Sequence, residues 1–186
     1  MENIELKTKY EKEIVPALMK EFKIKNKLQI PKISKISVNV GVGKFSKEDN
    51  MLKYVETVIS MITGQKPVRK KAKKSISGFK VREGQIVGIS VTLRGEKMYS
   101  FLDKLLNIAL PRSKDFRGIS YNAIDKSGNL TIGLKEMTVF PEAEGIDNGL
   151  NTFGGEVTIV VDKFISKELN TKLLEMFGVP FIKDKK

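Results

Sequence analysis

Between Ser34 and Gly43 the chain alternates without a break. Ile36, Val38, Val40 and Val42 are set against Lys35, Ser37, Asn39, Gly41 and Gly43. A two-residue period is the period of a strand. One set of side chains is apolar and the other small or polar, so the strand must be covered on one face and bare on the other. An all-helical chain is excluded, and so is a strand sandwiched on both faces of a parallel sheet. Two more segments behave alike. In Gly88–Arg94, Ile89, Val91 and Leu93 alternate with Ser90, Thr92 and Arg94. In 130–134, Leu130, Ile132 and Leu134 alternate with Thr131 and Gly133.

The cover for such strands comes from segments with a helical period. Leu6, Tyr10, Ile14, Leu18 and Phe22 predict a helix from about Ile4 to Phe22, in which Pro16 either makes a kink or starts a second short helix. Met51, Leu52, Val55, Val58, Ile59 and Ile62 predict another, capped by Gly64. Met98 to Ala109 predict a third, ended by Pro111, and 166–177 a fourth between Ser166 and Gly178. Lys66–Ala72 reads as a basic strand, 73–84 as a projecting loop, 112–118 as a basic loop and Val157–Val161 as a last strand.

Helices and strands neither alternate strictly nor segregate. The expectation is an α+β fold in one domain over 1–186: a mainly antiparallel sheet of about five strands, helices on one face, the other face exposed and polar. That face would display Lys35, Asn39, Ser90, Thr92, Thr131 and Lys135. Strand order does not follow from periodicity.

Charge points to a partner. The 186 residues carry 34 Lys+Arg against 22 Asp+Glu, a net charge of +12. It is segregated: residues 57–82 hold eight bases and no acid, whereas 138–161 hold Glu142, Glu144, Asp147 and Glu156 and no base. Excess positive charge of this size suits a polyanion. In the basic segment, Arg69 to Lys74 lead into Ser75-Ile76-Ser77-Gly78-Phe79-Lys80, and no neighbouring acid is expected to neutralise them. Lysines neutralise phosphates and Ser75 and Ser77 donate hydrogen bonds. Phe79 either stacks on a nucleotide or anchors the loop to the body. The acidic loop 141–156 reads as a solvated loop or a docking surface for a basic protein.

Enzymatic chemistry finds little foothold. There is no His, Cys or Trp, which removes thiol nucleophiles, Ser–His–Asp triads and cysteine zinc sites. Gly41-Val42-Gly43-Lys44 lacks the spacing of a phosphate loop, and Phe45 stands where a hydroxyl is required. Glu142 and Glu144 lack the pocket that acid–base work needs. No cofactor, metal, small-molecule substrate or membrane contact is expected. The start Met1-Glu2-Asn3 lacks the character of a signal peptide, so a cytoplasmic setting is expected. The alternatives are an RNA-modifying enzyme and a protein–protein adaptor working through the acidic segment.

Several motifs stand in one order: Val15-Pro16-Ala17-Leu18-Met19, Val38-Asn39-Val40-Gly41-Val42-Gly43, Ile62-Thr63-Gly64-Gln65-Lys66-Pro67, Ala72 to Lys80, Val91-Thr92-Leu93-Arg94-Gly95, Ala109-Leu110-Pro111-Arg112, Asp115-Phe116-Arg117-Gly118 and Phe140-Pro141-Glu142. With these the chain resembles, from about residue 6 to 183, the bacterial 5S rRNA-binding ribosomal protein family, number five of the large subunit. The resemblance implies a non-enzymatic constituent of the large ribosomal subunit that binds 5S rRNA and helps attach it in the central protuberance. Large-subunit rRNA and neighbouring large-subunit proteins are implied partners.

By the same resemblance, Lys35, Asn39, Gln65 and Thr92 would contact 5S rRNA. The loop Lys73, Lys74, Ser75, Ile76, Ser77, Gly78, Phe79 and Lys80 would reach the peptidyl-site tRNA. Arg112, Lys114, Asp115, Phe116 and Arg117 would face a basic small-subunit head protein in an intersubunit bridge. Where family members often carry a basic residue and Met-Asp, this chain reads Phe153-Gly154-Gly155-Glu156-Val157, and no individual bridge residue is assigned in 141–156.

Overall fold

The computed structural model describes residues 5–46, 48–114, 116–144 and 152–182. Five strands form one antiparallel sheet: β1 Ile33–Gly41, β2 Val68–Lys71, β3 Ile86–Leu93, β4 Leu130–Leu134 and β5 Gly155–Val161. Their order is β2-β3-β1-β5-β4, so the last strand in sequence lies between the first and the fourth. The helices are α1 Glu5–Lys9, α2 Val15–Glu21, α3 Asp49–Thr63, α4 Gly95–Lys104, α5 Leu110–Arg112, α6 Pro141–Glu144 and α7 Lys167–Phe177. The fold class is the α+β class that the alternating strands and amphipathic segments imply.

Contacts divide the chain into two compact units, and the division runs through β1, β4 and β5. The first comprises Met1–Ile36, Arg94–Ile132 and Thr158–Lys186; the second, Ser37–Leu93 and Gly133–Val157.

The core of the first unit is helical. Ile14, Leu18, Phe101, Leu102, Leu105, Leu173, Leu174 and Phe177 are buried. Tyr10 stacks on Phe177 with ring centroids 5.9 Å apart. Burial pushes the Tyr10 hydroxyl up to about 12, helped by Tyr99, Asp162 and Glu11. Each buried Leu, Ile or Phe contributes roughly 1.5–3 kcal/mol of transfer free energy.

Two prolines sit where one helix passes into the next, and the device is the same each time. A π-helical turn, Tyr10–Ile14, joins α1 to α2, and the Val15 N–H reaches back five residues to the Tyr10 carbonyl. A second, Leu105–Ala109, joins α4 to α5, and the Leu110 N–H reaches the Leu105 carbonyl. Pro16 and Pro111 each follow immediately, in the first turn of the next helix. A proline lacks the N–H donor and its ring crowds the carbonyl four residues back; the widened turn is how these helices pass it. The expected stop at Pro111 is therefore corrected: the chain stays helical to Arg112. Pro16 takes the second of its two expected roles, starting α2.

In the second unit α3 packs against β3. Met51, Leu52, Val55, Val58, Ile59 and Ile62 of the helix are buried with Val38, Val40, Ile89, Val91 and Leu93 of the strands. Gly64 closes α3 at φ 63°, the left-handed cap that a side chain resists.

Candidate nucleic-acid interface

The interface is built on the register of β2 with β3. Val68 pairs with Ser90, Arg69 with Ile89 and Lys70 with Gly88. Paired residues share a face. Ile89 is fully buried, so Arg69 lies on the helix side; there its guanidinium donates two hydrogen bonds to the Glu56 carboxylate on α3, the Nη2–Oε2 contact at 2.9 Å. The hydrogen bond from Arg69 holds the Glu56 carboxyl below its ordinary 4.5 against the opposing effect of burial. This corrects the expectation that no acid neutralises the basic run: Glu56 lies one residue outside the acid-free stretch.

Val68, Lys70, Ser90 and Thr92 consequently occupy the opposite side. Asn39 joins them from β1: it is exposed, and its Oδ1 lies 3.8 Å from where a Cβ on Gly88 would stand. Periodicity does not place Lys70, because all four residues of β2 are exposed and a single apolar residue, Val68, sets no alternation.

Gln65, just past the cap of α3, is half-buried and donates from Nε2 to the Thr92 carbonyl oxygen at 3.3 Å. Its backbone is held too, since the Gln65 N–H donates to Thr63 Oγ1 at 3.4 Å while that hydroxyl donates to the Ile59 carbonyl at 2.7 Å. In the second unit Gln65 and Thr92 are thus in direct contact, and Asn39 stands beside Gly88 on the same side of the sheet as Thr92. The Thr92 hydroxyl is not part of the bond to Gln65, which uses the Thr92 backbone. Lys35 lies in the first unit, half-buried on β1, and Thr131, also there, meets Thr158 hydroxyl to hydroxyl at 3.4 Å. Lys135 is exposed, one residue past β4.

Beyond β2 the basic segment continues the β2–β3 hairpin. The Ala72 N–H donates to the Gln85 carbonyl at 2.8 Å, the Gly84 N–H to the Ala72 carbonyl at 3.0 Å, and Ile76 bridges Val81. A 3-10 turn, Ser77–Phe79, forms the tip, ending at Lys80 with φ 53°. All eight residues from Lys73 to Lys80 are exposed, Phe79 by 78%. Phe79 is therefore no anchor to the body. Ser75 Oγ accepts from the Glu83 N–H at 2.9 Å. Ser75, Ser77, Lys80, Arg82 and Gln85 line an open hollow.

Gly41, the last residue of β1, and Gly43, in the 3-10 turn that follows, are not needed by the fold: a Cβ added at either meets nothing within 4 Å. Gly154 and Gly155 are different: a Cβ on Gly154 would lie 2.8 Å from the Leu134 carbonyl oxygen, and one on Gly155 2.8 Å from Met137 Sδ.

Of the bridge candidates, Arg112 ends α5, Lys114 and Arg117 are exposed and Phe116 is half-buried; Asp115 lies outside the described residues. Gly118, at φ 106°, leads into Ile119, whose N–H donates to the Pro180 carbonyl at 2.8 Å. Of the acidic loop, Pro141–Glu144 forms α6 and Phe153 meets Tyr54 edge-on, while 145–151 lie outside the described residues. Among the described residues no cluster of three or more Asp, Glu, His or Cys is placed to hold a metal, and no helix is long and apolar enough to cross a membrane.

The comparisons with known proteins cover nearly the whole chain. Residues 26–82 match the model of ribosomal protein L5, and 86–181 match the model of the same ribosomal family's C-terminus. The chain belongs to the ribosomal protein L5 family. It is 54% identical over 180 residues to the large ribosomal subunit protein uL5 of Campylobacter hominis, covering 97% of this chain and 98% of the relative. It is 53% identical to that of Campylobacter jejuni (strain 81-176) over the same shares, and 46% identical over 178 residues to that of Thermoanaerobacter sp. (strain X514), covering 96% and 98%. Ribosomal protein L5 family members are structural constituents of the large ribosomal subunit, a cytoplasmic particle in bacteria, and are not enzymes.

Proposed function

We propose that the chain binds 5S rRNA and helps attach it in the central protuberance of the large subunit. The observation that carries this reading is the side of β1, β2 and β3 turned away from α3, where Asn39, Thr92 and Lys70 stand and Gln65 is bound to the Thr92 backbone. An amide, a hydroxyl and an ammonium suit base edges, sugar hydroxyls and phosphates of a folded RNA, and the face is not an aromatic stacking platform. Gly41 and Gly43 leave room for a close backbone. Lys35 supplies a further cation on β1.

The exposed tip Lys73–Lys80 is the part of the second unit that reaches outward to the peptidyl-site tRNA. Arg112, Lys114, Asp115, Phe116 and Arg117 face the small-subunit head in a bridge, and the base-free segment 138–161 complements a basic protein there.

The test is a salt titration of binding to 5S rRNA against an unrelated folded RNA of similar length. A 5S preference of about a thousandfold, with affinity persisting at high salt, is the expected result. Equal binding that vanishes with salt would leave the net charge as the whole explanation and overturn the reading.

A further inference from the structure

A second surface, in the first unit, combines exposed apolar side chains with a local excess of lysines. Leu28 is 76% exposed, Phe164 49% and Ile165 51%. The segments that carry them are adjacent: the Asp162 N–H donates to the Lys32 carbonyl at 3.0 Å, the Lys32 N–H donates to Asp162 Oδ1 at 2.9 Å, and Lys163 Nζ donates to the Leu28 carbonyl.

These side chains are exposed on pinned backbone. Asn26 Oδ1 caps the turn before Leu28, accepting its N–H at 2.9 Å, and Ile30 behind it is buried. Beneath Phe164, the fully buried Asn170 donates from Nδ2 to the Lys163 carbonyl at 3.3 Å. One edge of the Phe164 ring lies 3.0 Å from where a Cβ on Gly128 would stand. Ser166 Oγ accepts the Leu169 N–H at 3.2 Å. Apolar groups held outward on fixed backbone are the signature of a contact surface rather than of a frayed loop.

The charge around the patch selects the occupant. Residues 23–35 contain five lysines and no acid, and Lys163 and Lys167 flank the two apolar residues on the other segment. The acid between these segments, Asp162, is already engaged by Lys32, its ammonium 4.0 Å away. A partner here must bring its own dense negative charge together with a flat apolar surface. An unpaired nucleotide brings both, a phosphate on each side and a base with a π face.

We infer that Leu28, Phe164 and Ile165 form a receptor for an unstacked base in a single-stranded loop of ribosomal RNA, with Lys27, Lys163 and Lys167 on the flanking phosphates. Family membership supplies only the ribosomal RNA as the source of the base, and the inference uses no residue of the Asn39–Gln65–Thr92 face, so either site can fail without the other.

The experiment has two arms. In the first, purified large subunits are irradiated with ultraviolet light, which joins stacked aromatics to bases without a linker, and the tryptic peptide Phe164–Lys167 is sought with a nucleotide adduct. In the second, the intact protein is titrated at fixed salt with an eight-nucleotide single-stranded RNA and with a duplex of equal length. Phe164→Ala lowers single-strand affinity about tenfold, Phe164→Leu lowers it similarly, Phe164→Trp retains it, and duplex binding is unchanged.

An adduct at Phe164 with that pattern supports the receptor. Full affinity in Phe164→Leu, equal losses on both RNAs, or a 162–167 segment that cross-links in the subunit to a protein but not to RNA would overturn it. Melting curves matching the parent's confirm that the variants are folded.

Discussion

Arg69 on β2 and Glu56 on α3 form a two-pronged pair that ties the edge strand of the second unit to the helix beneath it. The pair keeps one positive charge of the basic run on the helix side and leaves Lys70 on the other. Because the hydrogen bond from Arg69 lowers the Glu56 carboxyl, its contribution to stability is present above the unfolded-chain value near 4.5 and fades as pH falls through the lower folded value. Glu56→Gln should therefore melt below the parent by the same margin at pH 6 and pH 7. The margin should shrink as the buffer is taken below pH 4.5. A margin that grows in acid would show that the pair does not hold the strand.

Gln65 and Thr92 separate two kinds of contribution. Gln65 bonds the Thr92 backbone, so Gln65→Ala should cost about 1 kcal/mol of stability as well as 5S affinity. Thr92→Val leaves that bond in place and removes only the hydroxyl. It should keep stability within about 0.5 kcal/mol and weaken 5S binding about fivefold. Denaturant melts and RNA titrations on the two variants check this, and a stability loss in Thr92→Val would show that the hydroxyl serves the fold.

What sequence alone revealed follows the reach of local forces. The phase of the stretch from Lys35 to Val42 and of β3 from Ile89 to Leu93 was legible, because a one-residue slip would expose Ile36, Val38, Val40 and Val42 in the one and Ile89, Val91 and Leu93 in the other. The face of Lys70 was not, because β2 has no apolar alternation and its register is set by its partner. The Arg69–Glu56 pair spans 13 residues across a helix and a strand, and no local rule places it. Pro111 misled because propensity says stop, while the π turn that carries the helix past it is decided by the burial of Leu105, Leu106, Ala109 and Leu110. The insertion of β5 between β1 and β4 is long-range pairing, which periodicity does not encode.

The exposed tip of the hairpin should carry affinity without carrying the fold. Replacing Lys73 and Lys74 together by Gln should leave 5S binding and melting temperature unchanged. On tRNA it should reduce the slope of log affinity against log salt by about 1.5–2, as two phosphate contacts require. Asn39→Ala should do the reverse, weakening 5S binding with little change in slope. Parallel losses on both RNAs in either variant would refute this division of labour.

Two glycines should respond in opposite ways to one added methyl group. At Gly154 the new Cβ falls 2.8 and 2.9 Å from the carbonyl oxygens of Leu134 and Lys135, and backbone there cannot yield cheaply. Gly154→Ala should destabilise the protein by about 1–3 kcal/mol. At Gly41 the methyl meets nothing within 4 Å, and removing glycine from a strand leaves stability equal or slightly higher. If RNA approaches that strand closely, as the proposed 5S face requires, Gly41→Ala should keep the melting temperature and lower 5S affinity about tenfold, near 1.4 kcal/mol. A Gly41→Ala protein that binds 5S rRNA like the parent would move the closest approach of the RNA away from the end of β1 and toward Gln65 and Thr92.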